Sequence, residues 1–233
     1  MSRVRVKICG VMRPEDAVAA CRLGADAVGI VLHTASARNV PVDRARRTIE
    51  AMSPFVTPVG VFVDAPAQEI LDIAAMLGLR TVQLNGEQTP AEVEELHGLA
   101  VIQAIRVTRG QLAAKLEPWR RAVAANTLPH LIALVMEPGG EPGGTKQPGG
   151  TGVANDWDEV IDAQRSKAFD GLPPLIAAGG LKPETVAEVV RRVRPYAVDV
   201  SSGVEASLGM KSEEKLRGFI DAVREAEASD RPD

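Results

Sequence analysis

The chain has 233 residues, 45% hydrophobic and 25% charged, with a formal net charge of −4, an ordinary globular balance without the basic field that nucleic acid would need. No run of about 18 apolar residues occurs, so no membrane span is expected, and two cysteines, Cys9 and Cys21, are too few for a disulfide framework and lack metal-ligand spacing. The opening MSRVRVKICG has no long apolar segment behind its basic residues, so no signal peptide is expected and the cytoplasm is the expected compartment.

Short β-branched runs alternate with longer Ala/Glu/Arg-rich stretches. The first half reads as strand Val4–Ile8, helix Pro14–Leu23, strand Ala27–Leu32, helix Asp43–Met52, strand Pro58–Val63, helix Ala67–Leu77, strand Thr81–Leu84 and helix Pro90–Leu96. The second half reads as strand Val101–Ile105, helix Arg109–Leu116, strand Leu131–Met136, helix Asp156–Lys167, strand Leu175–Ala178, helix Pro183–Val193, strand Ala197–Val200 and helix Glu213–Ala226. Pro14, Pro66, Pro90 and Pro183 sit near helix starts, where a missing N–H does no harm. Gly24 and Gly78 close their helices.

Alternation of this kind implies a parallel sheet with right-handed crossovers. Eight units predict an α/β fold, a single closed (β/α)8 barrel of the TIM type. An open doubly wound sheet would be expected to carry a GxGxxG or P-loop turn after an early strand, and neither occurs. Residues 1–227 form the expected barrel. Within it, 138–152, rich in Gly and Pro, is expected to overhang the active face, and 228–233 to form a flexible tail.

Strand side chains alternate with period two. Val4, Val6 and Ile8 should meet the helices, which turns Lys7 and Cys9 into the barrel. The same logic sends Gln83 and Asn85 inward, together with Asp199, and places Glu137 at the end of the sixth strand. Polar groups inside a barrel are costly unless paired or functional. Lys7, Cys9, Gln83, Glu137 and Asp199 therefore predict one polar cluster at the C-terminal rim, where barrel active sites lie.

Three glycine-bearing turns come late: Gly149-Gly150-Thr151-Gly152, Ala178-Gly179-Gly180 and Ser201-Ser202-Gly203. Any one alone reads as a tight turn. Two of them fall in the loops after strands seven and eight, where barrels often bind phosphate through backbone N–H groups.

These segments, in this order, resemble the phosphoribosylanthranilate isomerase family of tryptophan biosynthesis. The resemblance runs through Lys7-Ile8-Cys9-Gly10, Arg13-Pro14-Glu15-Asp16-Ala17, Gly24–Gly29, Ser36–Val40, Val59–Val63 and Val82-Gln83-Leu84. It continues through the GGTG run ending with Trp157, Ala178–Leu181 and Asp199–Glu205, and so covers nearly the whole chain.

The resemblance implies a cofactor-free Amadori rearrangement of N-(5-phosphoribosyl)anthranilate to 1-(2-carboxyphenylamino)-1-deoxyribulose 5-phosphate. It implies a small-molecule phosphosugar as partner and a monomer or homodimer. Cys9 takes the place of the family's base, and Arg38 that of the arginine binding the anthranilate carboxylate. Lys7, Gln83 and Asp199 are expected to contact substrate. Gly150, Gly152, Gly179, Gly180, Ser202 and Gly203 are expected to hold phosphate. No metal is expected.

A free thiol titrates near 8.5, so a useful base needs a nearby cation. Lys7 is expected to lower the Cys9 thiol, with Asp199 as its ion-pair partner. Cys21 reads as a packing residue. The family's acid is an aspartate, and here Glu137 occupies its place, with Glu141 as the other candidate. Asn85 stands where a histidine is common, and Met12 where a Thr or Asn is common. Two alternatives stand beside it: a related phosphosugar aminoaldose isomerase with shifted substrate, which Cys9 at the end of the first strand argues against, and a weakened paralogue, suggested by the replaced acid, that binds a phosphorylated ligand without turnover.

Overall fold

The computed structural model describes residues 3–33, 36–139 and 154–228. Eight parallel strands close into a barrel in sequence order: β1 (Arg5–Ile8), β2 (Ala27–His33), β3 (Thr57–Phe62), β4 (Thr81–Leu84), β5 (Ala100–Val107), β6 (Leu131–Pro138), β7 (Leu175–Ala178) and β8 (Ala197–Val200). Closure comes from β1 lying beside β8, with Lys7 opposite Asp199. The helices between and after them are α1 (Pro14–Leu23), α2 (Val42–Glu50), α3 (Ala67–Leu77), α4 (Pro90–Glu94), α5 (Leu112–Ala124), α6 (Trp157–Arg165), α7 (Pro183–Val193) and α8 (Glu213–Ala228). Among the described residues no helix is long and apolar enough to cross a membrane.

Period-two alternation sorts the strands as expected. Val6, Ile8, Val82, Leu84, Val198 and Val200 join the large core between sheet and helices. Val59, Ile102, Ala104, Ala133, Val135, Ile176, Ala178 and Ala197 form a second, smaller cluster. These are the alternate-phase residues, and they fill the barrel interior below the polar rim. Small Ala side chains suit this layer because it tapers between facing strands. On the outside, Phe62 and Phe219 are fully buried, and truncating such an aromatic typically costs about 3–5 kcal/mol.

Helix signals acted where expected. Pro14, Pro90 and Pro183 occupy first-turn positions, while Pro66 is the N-cap of α3. Gly24 and Gly78 end α1 and α3 in the left-handed conformation. Helices α2, α4, α6 and α8 differ from their expected spans by one or two residues at one or both ends, and α5 by more. α5 begins three residues later than Arg109 and runs eight past Leu116, carrying Pro118 inside it. Leu112, Leu116 and Trp119 are buried at i, i+4 and i+7; that apolar stripe holds the helix through the proline.

A 3-10 turn at Ser202–Val204 and a small antiparallel hairpin, β9 (Glu205–Ser207) with β10 (Met210–Lys211), follow β8. Neither was expected from periodicity. Most of the Gly/Pro-rich segment lies outside the described residues, with Glu141, Gly150 and Gly152, and so do 229–233 of the tail.

Candidate active site

The rim at the C-terminal ends of the strands gathers the expected residues. Lys7 Nζ donates to Asp199 Oδ2 at 2.7 Å, and both side chains are buried. Burial alone would lower the Lys7 ammonium, but Asp199 and Cys9 outweigh it and hold the group above its usual value. Cys9 follows directly on β1, its N–H bonded to Val200 O at 2.8 Å.

Gly29 on β2 explains how Lys7 and Cys9 fit side by side. A Cβ at Gly29 would lie 2.9 Å from Cys9 Sγ and 3.2 Å from Lys7 Nζ. Those two distances bound the Nζ···Sγ separation at about 6 Å. Glycine inside a strand often marks such a close approach, and Gly29 is a site residue that the sequence reading did not single out.

One expectation about Cys9 needs correction. Lys7 does pull the thiol down, but burial is the larger effect, and Asp199 adds to it. The net direction is upward, so the resting side chain is a thiol. Cys21 lies on α1, half-buried and packed against the core, as expected of a packing residue.

Across the barrel, Glu137 closes the interior phase of β6. Asn85 Nδ2 donates to Glu137 Oε1 at 2.7 Å, and Gln83 Nε2 donates to Asn85 Oδ1 at 2.7 Å. Burial pushes the Glu137 carboxyl up to about 7, with Asp199 adding to the rise. The Asn85 hydrogen bond, Lys7 and Arg106 pull the other way. A carboxyl at that value is half-protonated near neutral pH, which suits a general acid. Gln83 Oε1 and Asp199 Oδ1 are buried acceptors without donors among the described residues.

Arg38, in the loop after β2, sends its fork to Glu205, with Nε to Oε1 and Nη2 to Oε2 both at 2.8 Å. Lys211 Nζ reaches the same carboxylate at 3.1 Å and Ser201 O at 2.9 Å. Burial would raise the Glu205 carboxyl, but these two cations hold it below its usual value. Two cations share one carboxylate, so the trio carries one net positive charge. Glu205 and Lys211 belong to the unexpected hairpin region, and the sequence reading did not assign them.

Gly179 and Gly180, after β7, adopt φ of 97° and 64°. A Cβ on Gly179 would overlap Pro138 Cδ. Ser202 and Gly203 form the 3-10 turn after β8. Asn155, also not singled out, donates to Met136 O at 2.9 Å and Ala178 O at 3.1 Å. It ties together the backbone just before Glu137 and just before Gly179.

Histidines stay out of this cluster. His33 Nδ1 pairs with Glu69, and His97 and His130 meet backbone carbonyls of Glu94 and Val93. Among the described residues no group of three His, Cys, Asp or Glu side chains is placed to hold a metal ion.

Comparison with known proteins agrees with this arrangement. Residues 6–222 match the family model for N-(5'-phosphoribosyl)anthranilate (PRA) isomerase. A relative from Pseudomonas fluorescens named N-(5'-phosphoribosyl)anthranilate isomerase is 46% identical over 224 residues, spanning 96% of this chain and all of its own. The crystal structure of phosphoribosyl anthranilate isomerase from Thermus thermophilus superposes with a TM-score of 0.77 at 34% identity, covering 95% of this chain and 99% of that one. A phosphoribosyl anthranilate isomerase complexed with reduced 1-(o-carboxyphenylamino)-1-deoxyribulose 5-phosphate gives 0.75 at 33%, covering 95% and 99%. The chain belongs to the N-(5'-phosphoribosyl)anthranilate isomerase family.

Proposed function

We infer that the chain converts N-(5'-phosphoribosyl)anthranilate to 1-(o-carboxyphenylamino)-1-deoxyribulose 5-phosphate, with Glu137 as general acid and Cys9 as general base. The observation that carries this reading is that a carboxyl poised near neutrality and a thiol beside a buried ammonium share one barrel mouth. Glu137 is held near neutrality, and Cys9 lies beside the Lys7 ammonium.

The neutral carboxyl of Glu137 gives its proton to the furanose ring oxygen as the C1–O bond opens. The anthranilate nitrogen supplies the electron pair, and a Schiff base forms. The Cys9 thiolate then takes the proton from C2, leaving an enaminol. Protonation at C1 and loss of the C2 hydroxyl proton give the aminoketose. Lys7 steadies the thiolate that starts the second step, and Asp199 holds Lys7 in place.

Binding follows from the remaining groups. The excess positive charge of the Arg38, Lys211 and Glu205 trio suits the anthranilate carboxylate. Gln83 Oε1 and Asp199 Oδ1 are acceptors for sugar hydroxyls, which would satisfy two otherwise costly buried oxygens. The turns at Gly179-Gly180 and Ser202-Gly203 offer backbone N–H groups to the phosphate.

Complementation of a tryptophan auxotroph that lacks this isomerase tests the reading. Rescue by the wild type, with loss in Cys9→Ala and in Glu137→Gln, supports both roles. Rescue by either variant at wild-type level removes that residue from the mechanism.

A further inference from the structure

Glu137 is joined to a second interior amide by an unbroken chain of hydrogen bonds. Gln83 and Asn85 lie two residues apart, 1% and 8% exposed, Gln83 on β4 and Asn85 just beyond its end. The chain runs from Gln83 Nε2 to Asn85 Oδ1, then from Asn85 Nδ2 to Glu137 Oε1, at 2.7 Å in each step. β4 and β6 both flank β5, so the contact spans the concave inner face of three neighbouring strands rather than following from local sequence.

The direction of the chain is determined by Glu137. An ionised carboxylate only accepts. Turning the Asn85 amide over would set its oxygen against a carboxylate oxygen, and would set its NH2 against that of Gln83. Turning both amides over would relieve the second clash but leave the first. The ionised acid therefore selects the observed orientation, and Gln83 reinforces it.

We propose that Gln83 and Asn85 are positioning residues for the acid: they assign Glu137 Oε1 the part of acceptor and leave Oε2 to carry the transferred proton. This deepens the reading of Glu137 as general acid and rests on it. The device tunes the acid's pKa as well as fixing its rotamer. A hydrogen bond to the charged form favours that form, so Asn85 holds the carboxyl lower than burial alone would. The other charged groups facing Glu137 are Asp199 from β8, Lys7 from β1 and Arg106 from the adjacent β5. None is altered by changes at Asn85 or Gln83.

The test follows the Glu137 carboxyl directly, by isotope-edited infrared titration of the free enzyme, with Glu137→Gln as the spectral reference. In wild type it should titrate at about 7. Asn85→Ala should move that titration up by about one pH unit, since a hydrogen bond to a charged group is lost. The kcat should fall about ten-fold with little change in KM. Asn85→Asp, nearly isosteric and therefore a safeguard against a folding failure, should move it up further by adding a like charge. Gln83→Met should shift it in the same direction by less, because Asn85 is retained but loosened. The Gln83→Met/Asn85→Ala pair should place the Glu137 titration no higher than Asn85→Ala alone, because Gln83 reaches the acid only through Asn85. An unmoved Glu137 titration in Asn85→Ala and Asn85→Asp, with Glu137→Gln inactive, overturns the relay and leaves the acid assignment intact. Full activity in Glu137→Gln overturns both.

Discussion

Replacing Lys7 by Met tests whether the buried ammonium sets the reactivity of Cys9. Its Nζ and the Cys9 Sγ are no more than about 6 Å apart across Gly29. At an effective dielectric of about 20, unit charges at that separation interact by roughly 3 kcal/mol. Loss of the ammonium should therefore cut the thiolate fraction at fixed pH on the order of 100-fold. The substitution also strands Asp199, which is buried and bonded to Lys7 at 2.7 Å. Breaking one side of such a pair typically costs about 3–5 kcal/mol of stability, whereas neutralising both sides is far less harmful. Lys7→Met/Asp199→Asn is therefore the better-folded companion. The assay is ultraviolet titration of the Cys9 thiolate in a Cys21→Ala background, because Cys21 is the other free thiol. Both variants should titrate at higher pH than the parent. A Cys9 titration that stays in place in both would refute the electrostatic role assigned to Lys7.

Other outcomes follow from the same geometry. Cys9 lies above its ordinary value and Glu137 near 7, so the working form, thiolate with neutral acid, is a minority microstate of the singly deprotonated pair. The pH profile of kcat/KM should then rise through about 7 as the pair loses its first proton, and fall as Cys9 titrates. In Glu137→Gln the limb near 7 should vanish, and the residual rate should only rise with pH; persistence of that limb would assign it elsewhere. The same carboxyl should be a stability liability. Its folded value is raised from 4.5 to about 7, so the unfolded chain ionises first and stability is lost as pH rises from about 4.5 through 7. Glu137→Gln should match wild type in chemical denaturation near pH 4 and exceed it by about 3 kcal/mol at pH 8; equal stability at both pH values would contradict the burial argument. Arg38→Lys gives up the planar two-point contact, so KM should rise roughly ten-fold with kcat little changed. A loss in kcat alone would place Arg38 in the chemistry rather than in carboxylate binding.

The strands were legible because each is a short β-branched run bounded by helix caps, and their inward faces followed from strict period two. Lys7 and Asp199 are 192 residues apart, yet their shared interior phase was enough to pair them once the barrel was assumed. The weighing of burial against charge at Cys9 was not legible. Both effects are present, and only the enclosure of the thiol decides which is larger. α5 runs on past its expected end and through Pro118, because the buried stripe of Leu112, Leu116 and Trp119 outweighs the proline's local cost. The hairpin after β8 escaped because its strands are three and two residues long. With it went Glu205, the carboxylate that Arg38 and Lys211 share where two loops meet at the rim. Asn85 was legible as an inward-facing, unusual residue after β4; its bond to Glu137 was not, because it reaches over β5 on the curved inner face of the barrel.

The central claim is that Cys9 and Glu137 carry out the isomerisation together. The most direct measurement is turnover of freshly prepared N-(5'-phosphoribosyl)anthranilate by the purified protein, followed through the loss of substrate fluorescence, in wild type, Cys9→Ala and Glu137→Gln. The account predicts robust turnover by the wild type and a loss on the order of 100- to 10,000-fold in each variant, with product-analogue binding retained. Wild-type turnover that survives intact in either variant would contradict it.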